Sequence, residues 1–89
     1  MMSPTDKILY QKIDEILWND WDPIGVNDTP EARDEYHSYI FELIDMKKNR
    51  ATPGEITNHL HRIEFEHIGL FGELERCRVV AEKIVDIPY

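Results

Sequence analysis

Three Ser-Pro or Thr-Pro pairs, at residues 3–4, 29–30 and 52–53, constrain the fold of this chain more than any other sequence feature. Such a pair is typical of a helix start, because the hydroxyl caps free backbone N–H groups and proline suits the first turn. The third pair continues to Glu55 as T-x-x-E, which is a capping box. At the second start, either Asp28 or Thr29 can be the cap. The pairs therefore predict the starts of three helices.

Apolar residues recur at helical spacing after each start, and they recur again near the end of the chain. A glycine pair, Gly69 and Gly72, separates the third helix from a fourth. No long stretch alternates with the period of two that is typical of a strand. We expect helices over about 4–19, 29–48, 53–69 and 73–86. The residues expected on the core faces of the first and last helices are Leu9, Ile13, Ile16, Leu17, Leu74, Cys77, Ala81, Ile84 and Val85. The sequence predicts an all-α, compact four-helix domain that covers 1–89.

The W-D-P-I-G sequence lies between the first two helices. Gly25 permits the positive φ that a tight turn requires. Trp21, Ile24 and Val26 are apolar residues that avoid water only by packing under the core. The sequence therefore predicts a packed loop at this end of the bundle.

The length and the cysteine content limit the class of protein. A chain of 89 residues has room for one core and little room for a deep enzyme cleft. The single Cys77 excludes an internal disulfide framework and fits a reducing compartment. We recognise no signal peptide and no apolar stretch of the roughly 20 residues that a membrane span needs. We expect a cytoplasmic protein.

Negative charge is concentrated in one third of the chain. The net charge is −8, and residues 14–45 hold ten acidic residues and one basic residue, Arg33. The rest of the chain is close to neutral. Nucleic acids and anionic membranes repel such a protein, so we expect neither as a partner. The acidic region is either a solvated face or a docking surface for a basic protein.

Winding residues 30–48 as one α-helix gathers five carboxylates within an arc of roughly 100°. This acidic strip consists of Glu31, Asp34, Glu35, Glu42 and Asp45. Tyr39 borders the strip on one edge and Phe41 borders it on the other. Aromatic residues beside charges are common at protein interfaces, so we predict that all seven residues contact a partner. The alternative is that the two rings only pack against neighbouring helices.

Two [DE]-x-x-H patterns suggest a metal site, because paired carboxylate and histidine residues build di-iron centres in helical bundles. They are D-E-Y-H, with Asp34 and His37, and E-F-E-H, with Glu64 and His67. The first and last helices lack the inward carboxylates that such a centre also needs. We therefore expect no metal, no cofactor and no catalytic residue. Cys77 lies in an apolar stripe, which predicts a buried, inert thiol.

The sequence D-W-D-P-I-G-V-N-D-T-P-E-A-R-D-E-Y, continued by I-E-F-E-H-I-G-L, resembles the YugE-like family of small bacterial proteins. The W-D-P-[IL]-G loop, the D-E-Y helix start and a later I-E-x-x-x-[MI]-G-L segment recur in that family. The resemblance covers roughly 18–72. It implies an all-helical fold and supplies no catalytic residues.

These patterns favour a small acidic protein-binding module rather than an enzyme. An immunity or antitoxin-type inhibitor that neutralises a basic protein, such as a nuclease toxin, is the concrete form that we expect. Two alternatives remain open. One is a metal-dependent helical-bundle enzyme that uses His37 and His67, and the other is a structural homo-oligomer.

Overall fold

The computed structural model describes residues 3–22, 25–68 and 74–88, of which 67 and 68 are described by their backbone alone. Four α-helices follow one another along these residues: α1 Pro4–Ile16, α2 Ile40–Lys48, α3 Pro53–Ile63 and α4 Leu74–Asp86. The Cα radius of gyration is 12.4 Å, close to the roughly 12 Å of a compact chain of this length. The predicted all-α, four-helix fold is confirmed. Among the described helices, none has both the length and the apolar character needed to cross a bilayer.

The predicted helix starts at Ser3 and Thr52 are confirmed by their capping contacts. The Ser3 hydroxyl accepts a hydrogen bond from the Asp6 backbone N–H at 3.1 Å. The Thr52 hydroxyl accepts one from the Glu55 backbone N–H, and the Glu55 carboxylate accepts one from the Thr52 backbone N–H, both at 3.1 Å. This reciprocal pair is the capping box that T-x-x-E predicts.

Two helices end in a wider, π-helical turn instead of the plain α-helix that we expected. α1 continues as Leu17–Trp21, and α3 continues as Glu64–Ile68. The backbone N–H of Asp22 closes the first π turn on the Leu17 carbonyl at 2.9 Å. The turn brings Trp18 and Trp21 into the core, where they are 9% and 0% exposed. Such π turns are rare, and each one fixes side chains that a regular helix would aim elsewhere.

The core lies among all four helices and the first π turn. α3 packs closely against α4, and α1 contacts both α2 and α4. Cys77 and Ala81 are fully buried, as the apolar stripe of the last helix predicts. The prediction that Leu74 belongs to that stripe is wrong, because Leu74 is the first residue of α4 and is 54% exposed. Val80 is buried on α4 as well.

The loop after the first π turn packs as predicted at the two positions that the structure describes. Trp21 is fully buried, and Val26 packs against the core. Asp22 takes a left-handed conformation with φ of 33°. Its Oδ1 atom accepts hydrogen bonds from the Val26 backbone N–H at 2.9 Å and from the Tyr36 hydroxyl at 2.7 Å. Gly25 has the expected positive φ, and Ile24 lies outside the described residues.

The predicted α-helix over 29–48 is wrong in its first half. Residues 30–32 and 37–39 form short 3₁₀ segments joined by turns, and regular α-helix begins only at Ile40. The backbone N–H groups of this region bond three residues back, as from Tyr39 to the Tyr36 carbonyl at 3.1 Å. The cause lies in tertiary contacts with the two buried tryptophans.

Residues three apart in a 3₁₀-type segment lie on the same side. Arg33, Tyr36 and Tyr39 have this spacing, and all three contact the tryptophans. The Arg33 guanidinium carbon lies 5.1 Å from the centre of the Trp18 ring. The centres of the Tyr36 and Tyr39 rings lie 5.4 and 5.9 Å from that of Trp21. A regular α-helix would spread these three side chains over about 120° and would lose part of the contact.

Candidate partner-binding surface

The five carboxylates of the acidic strip are all exposed to solvent. Glu31, Asp34 and Glu35 lie on the 3₁₀ and turn region, whereas Glu42 and Asp45 lie on α2. The strip is therefore not one arc of a single helix, as the helical winding implied. It consists of two short stretches of different backbone geometry.

Tyr39 lies where the two stretches of the strip meet. Its pKa is raised above the ordinary value, first by partial burial and then by the negative charges of Glu35 and Glu42. Because one carboxylate of each stretch acts on the same phenol, both lie close to it. Tyr39 thus packs on Trp21 with one part of its ring and borders the strip with the rest.

Phe41 borders the α1 side of the strip. Its ring centre lies 5.4 Å from that of Tyr10 on α1, and it is still 55% exposed. Tyr10 contacts the His37 ring in turn, at 6.0 Å. Tyr39 and Phe41 therefore both pack against the protein and both keep accessible surface, so packing and partner contact are compatible for each ring.

The strip carries most of its charge without compensation. Ion pairs elsewhere in the described residues include Arg33–Asp14 at 2.7 Å, Lys48–Asp6 at 2.9 Å and Lys83–Asp20 at 3.3 Å, and Arg78 pairs with both Glu75 and Glu82. Within the strip, Glu42 lies 3.0 Å from Nε2 of His59. The other four strip carboxylates form no ion pair with any described residue. Arg33, the one basic residue of 14–45, forms two hydrogen bonds with Asp14 instead.

The two [DE]-x-x-H patterns lie in different environments. Nε2 of His37 lies 3.1 Å from Oδ1 of Asp14, and Asp34 is exposed. Glu64 is instead completely buried, and the side chain of His67 lies outside the described residues. Across 3–22, 25–66 and 74–88, no three His, Cys, Asp or Glu side chains come together as a metal site would require.

Glu64 has a structural role in the core that its E-x-x-H pattern did not predict. Its Oε1 atom accepts a hydrogen bond from the Trp21 indole N–H at 2.8 Å and lies 3.4 Å from the Cys77 sulfur. Burial, together with the negative charge of Glu64, raises the pKa of Cys77 to about 12, in agreement with an inert thiol. A signal for Glu64 did exist, because the indole N–H of a buried tryptophan needs an acceptor.

The chain matches no protein-family model, no curated protein and no solved structure. The resemblance to the YugE-like family therefore stays a prediction.

Proposed function

We propose that this protein is a small acidic protein-binding module whose acidic strip captures a basic protein. The concrete form that we propose is an immunity or antitoxin-type inhibitor of a cationic toxin such as a nuclease. The observation that carries the proposal is that Glu31, Asp34, Glu35 and Asp45 form no ion pair within the described part of the chain. Carboxylates without local partners keep their full charge available for a partner.

The scaffold beneath the strip supports this proposal. The 3₁₀ and turn region of the strip packs on the core through side chains that contact the two tryptophans, namely those of Arg33, Tyr36 and Tyr39. A surface that is already ordered loses less conformational entropy on binding. Dense charge of one sign accelerates the encounter with a basic protein, and exposed rings slow its dissociation.

The proposal is tested by affinity capture from cells that make the protein. One bait is the wild-type chain, and the other carries Gln or Asn at all five strip positions. Glu15→Gln, which removes an exposed carboxylate outside the strip, is the control. We expect the wild type and the control to retain the same basic protein at low salt, and the fivefold variant to lose it. The purified partner should then lose its own activity when the chain is added in equimolar amount.

A partner that is retained equally by the fivefold variant would contradict the proposal and would place the binding site elsewhere. A partner that binds through the strip but keeps its activity would remove the inhibitor role and would leave the binding role.

A homo-oligomer is the second candidate, and exposed apolar residues outside the strip favour it; Ile8 is one of them. Phe65 is 62% exposed and Leu74 is 54% exposed. Such residues are often covered in an assembly. Sedimentation velocity at micromolar concentration decides this point, since a monomer of 10.6 kDa that does not self-associate would exclude the second candidate.

A further inference from the structure

A cleft of about 450 Å³ opens between α2 and α3, next to the point where the two stretches of the strip meet. We call it the α2–α3 cleft. Residues that line it include Tyr39, Glu42, His59, Arg62, Ile63 and Glu66. It extends the candidate surface beyond the strip, because four of these residues belong to α3 and its π turn.

The cleft has an apolar part and a polar rim. Tyr39 is half-buried and offers apolar surface to the cleft, whereas Ile63 lines its inner side and is only 3% exposed. Nε2 of His59 lies 3.0 Å from Oε2 of Glu42, a close contact without good hydrogen-bond alignment. This contact directs the Glu42 carboxylate toward α3, across the cleft.

The charges around the cleft favour a cation. Counted formally with histidine uncharged, Glu42 and Glu66 contribute two negative charges and Arg62 contributes one positive charge. Glu35 adds a further negative charge close to Tyr39. The cleft is thus negative in spite of the arginine at its rim.

We propose that the α2–α3 cleft receives an arginine side chain of the basic partner, with the guanidinium between Glu42 and Glu66 and against the Tyr39 ring. A guanidinium suits this set better than an ammonium, because it is planar, stacks on aromatic rings and pairs with carboxylates in a fork. Its aliphatic stem would pack on Ile63. The inference rests on the proposed function, since it names the chemistry of the group that the partner inserts.

The effect of removing Arg62 on binding shows whether the occupant of the cleft is a cation or an anion. If the occupant is a cation, Arg62 repels it, and removal of Arg62 strengthens binding. If the occupant is an acidic side chain, Arg62 is its main attraction, and removal of Arg62 weakens binding. Arg62 is exposed, so its replacement by alanine leaves the core untouched.

The test is a calorimetric titration with a hexa-arginine peptide at low salt, beside hexa-lysine and hexa-glutamate peptides. Glu66→Gln is the decisive variant, because Glu66 lines the cleft and does not belong to the strip. Glu15→Gln removes the same charge from an exposed position outside the cleft and is the matched control. We expect Glu66→Gln to weaken hexa-arginine binding roughly threefold to tenfold, with hexa-lysine binding more weakly than hexa-arginine. Arg62→Ala should tighten hexa-arginine binding.

The outcomes separate this inference from the proposed function. If hexa-arginine binds through the strip but Glu66→Gln behaves as Glu15→Gln does, the cleft proposal is wrong and the proposed function stands. If hexa-glutamate binds and Arg62→Ala abolishes that binding, the cleft takes an acidic group and the proposal is overturned. If hexa-arginine does not bind to the wild type, both proposals fail.

Discussion

Glutamate occurs in two opposite settings in this protein. Glu64 is completely buried, accepts a hydrogen bond from the Trp21 indole and lies beside the Cys77 thiol. Glu31 and Glu35 are exposed, and neither forms an ion pair with a described residue. The same side chain is thus a structural acceptor in the core and an uncompensated charge at the surface.

We propose that the buried and the exposed glutamates have separate roles, the first in stability and the second in binding. Burying a carboxylate is costly unless donors satisfy it. Oε1 of Glu64 accepts the Trp21 indole N–H and so ties the first π turn to the second, whereas Oε2 is buried without a partner among the described residues. Exposed carboxylates of one sign repel one another and contribute little or nothing to folding. We therefore expect stability to depend on the Trp21–Glu64 contact and partner binding to depend on the strip.

The largest effect that we predict on stability follows from loss of the Trp21 ring. Trp21→Ala should lower the free energy of unfolding by about 3–5 kcal/mol, because it removes a fully buried ring and the indole N–H that donates to Glu64. Trp21→Phe keeps much of the apolar volume and removes only the N–H donor, so it should cost less, about 1–3 kcal/mol. Urea denaturation measures both values. Equal and small losses would show that the buried contact does not support the fold.

The Cys77 thiol provides a second test of the buried setting. Its pKa is about 12 in the folded protein, whereas an unfolded thiol has a pKa near 8.5. Since the folded state holds the proton more tightly, this stabilising contribution is complete below about pH 8.5 and is lost as the pH rises toward 12. Thermal melts from pH 7 to pH 10 should fall more steeply for the wild type than for Cys77→Ala. Parallel slopes would contradict a thiol that is protonated because of burial.

The smallest predicted effect concerns the strip and folding. Glu31→Gln, Asp34→Asn and Glu35→Gln should each change the unfolding free energy by no more than about 0.5 kcal/mol, because these side chains are solvated. Urea denaturation of each variant and of Trp21→Phe compares the unfolding free energies lost at exposed and buried positions. A strip variant as destabilised as Trp21→Phe would show that the two settings are not separate.

The parts of the fold that depend on local sequence could be predicted, and those that depend on distant contacts could not. Ser3 and Thr52 bond within four residues, so their cap signals were enough. Residues 30–39 depart from the predicted helix because Arg33 and Tyr36 contact Trp18 and Trp21, which lie far away in sequence. A pattern within one segment cannot predict contacts with another segment.

The candidate site shows the same limit. Charge and spacing predicted which residues form the strip and that they are exposed. They wrongly predicted that these residues share one helix. The burial of Glu64 was not predicted, because a glutamate at the edge of an apolar face is usually solvated. Its burial depends on Trp21, 43 residues earlier. The α2–α3 cleft was not predicted, because it forms between two helices whose packing cannot be read from either segment alone.

The most direct test of the central claim is the association rate of the captured partner as a function of salt. The wild type should associate fast at low salt and slow steeply as salt rises, since screening weakens the attraction of the strip. Charge reversal in the double variant Glu35→Lys, Glu42→Lys should slow association and flatten the salt dependence, whereas Tyr39→Ala and Phe41→Ala should mainly speed dissociation. An association rate and a salt slope that the double variant leaves unchanged would contradict the claim that the acidic strip binds the partner.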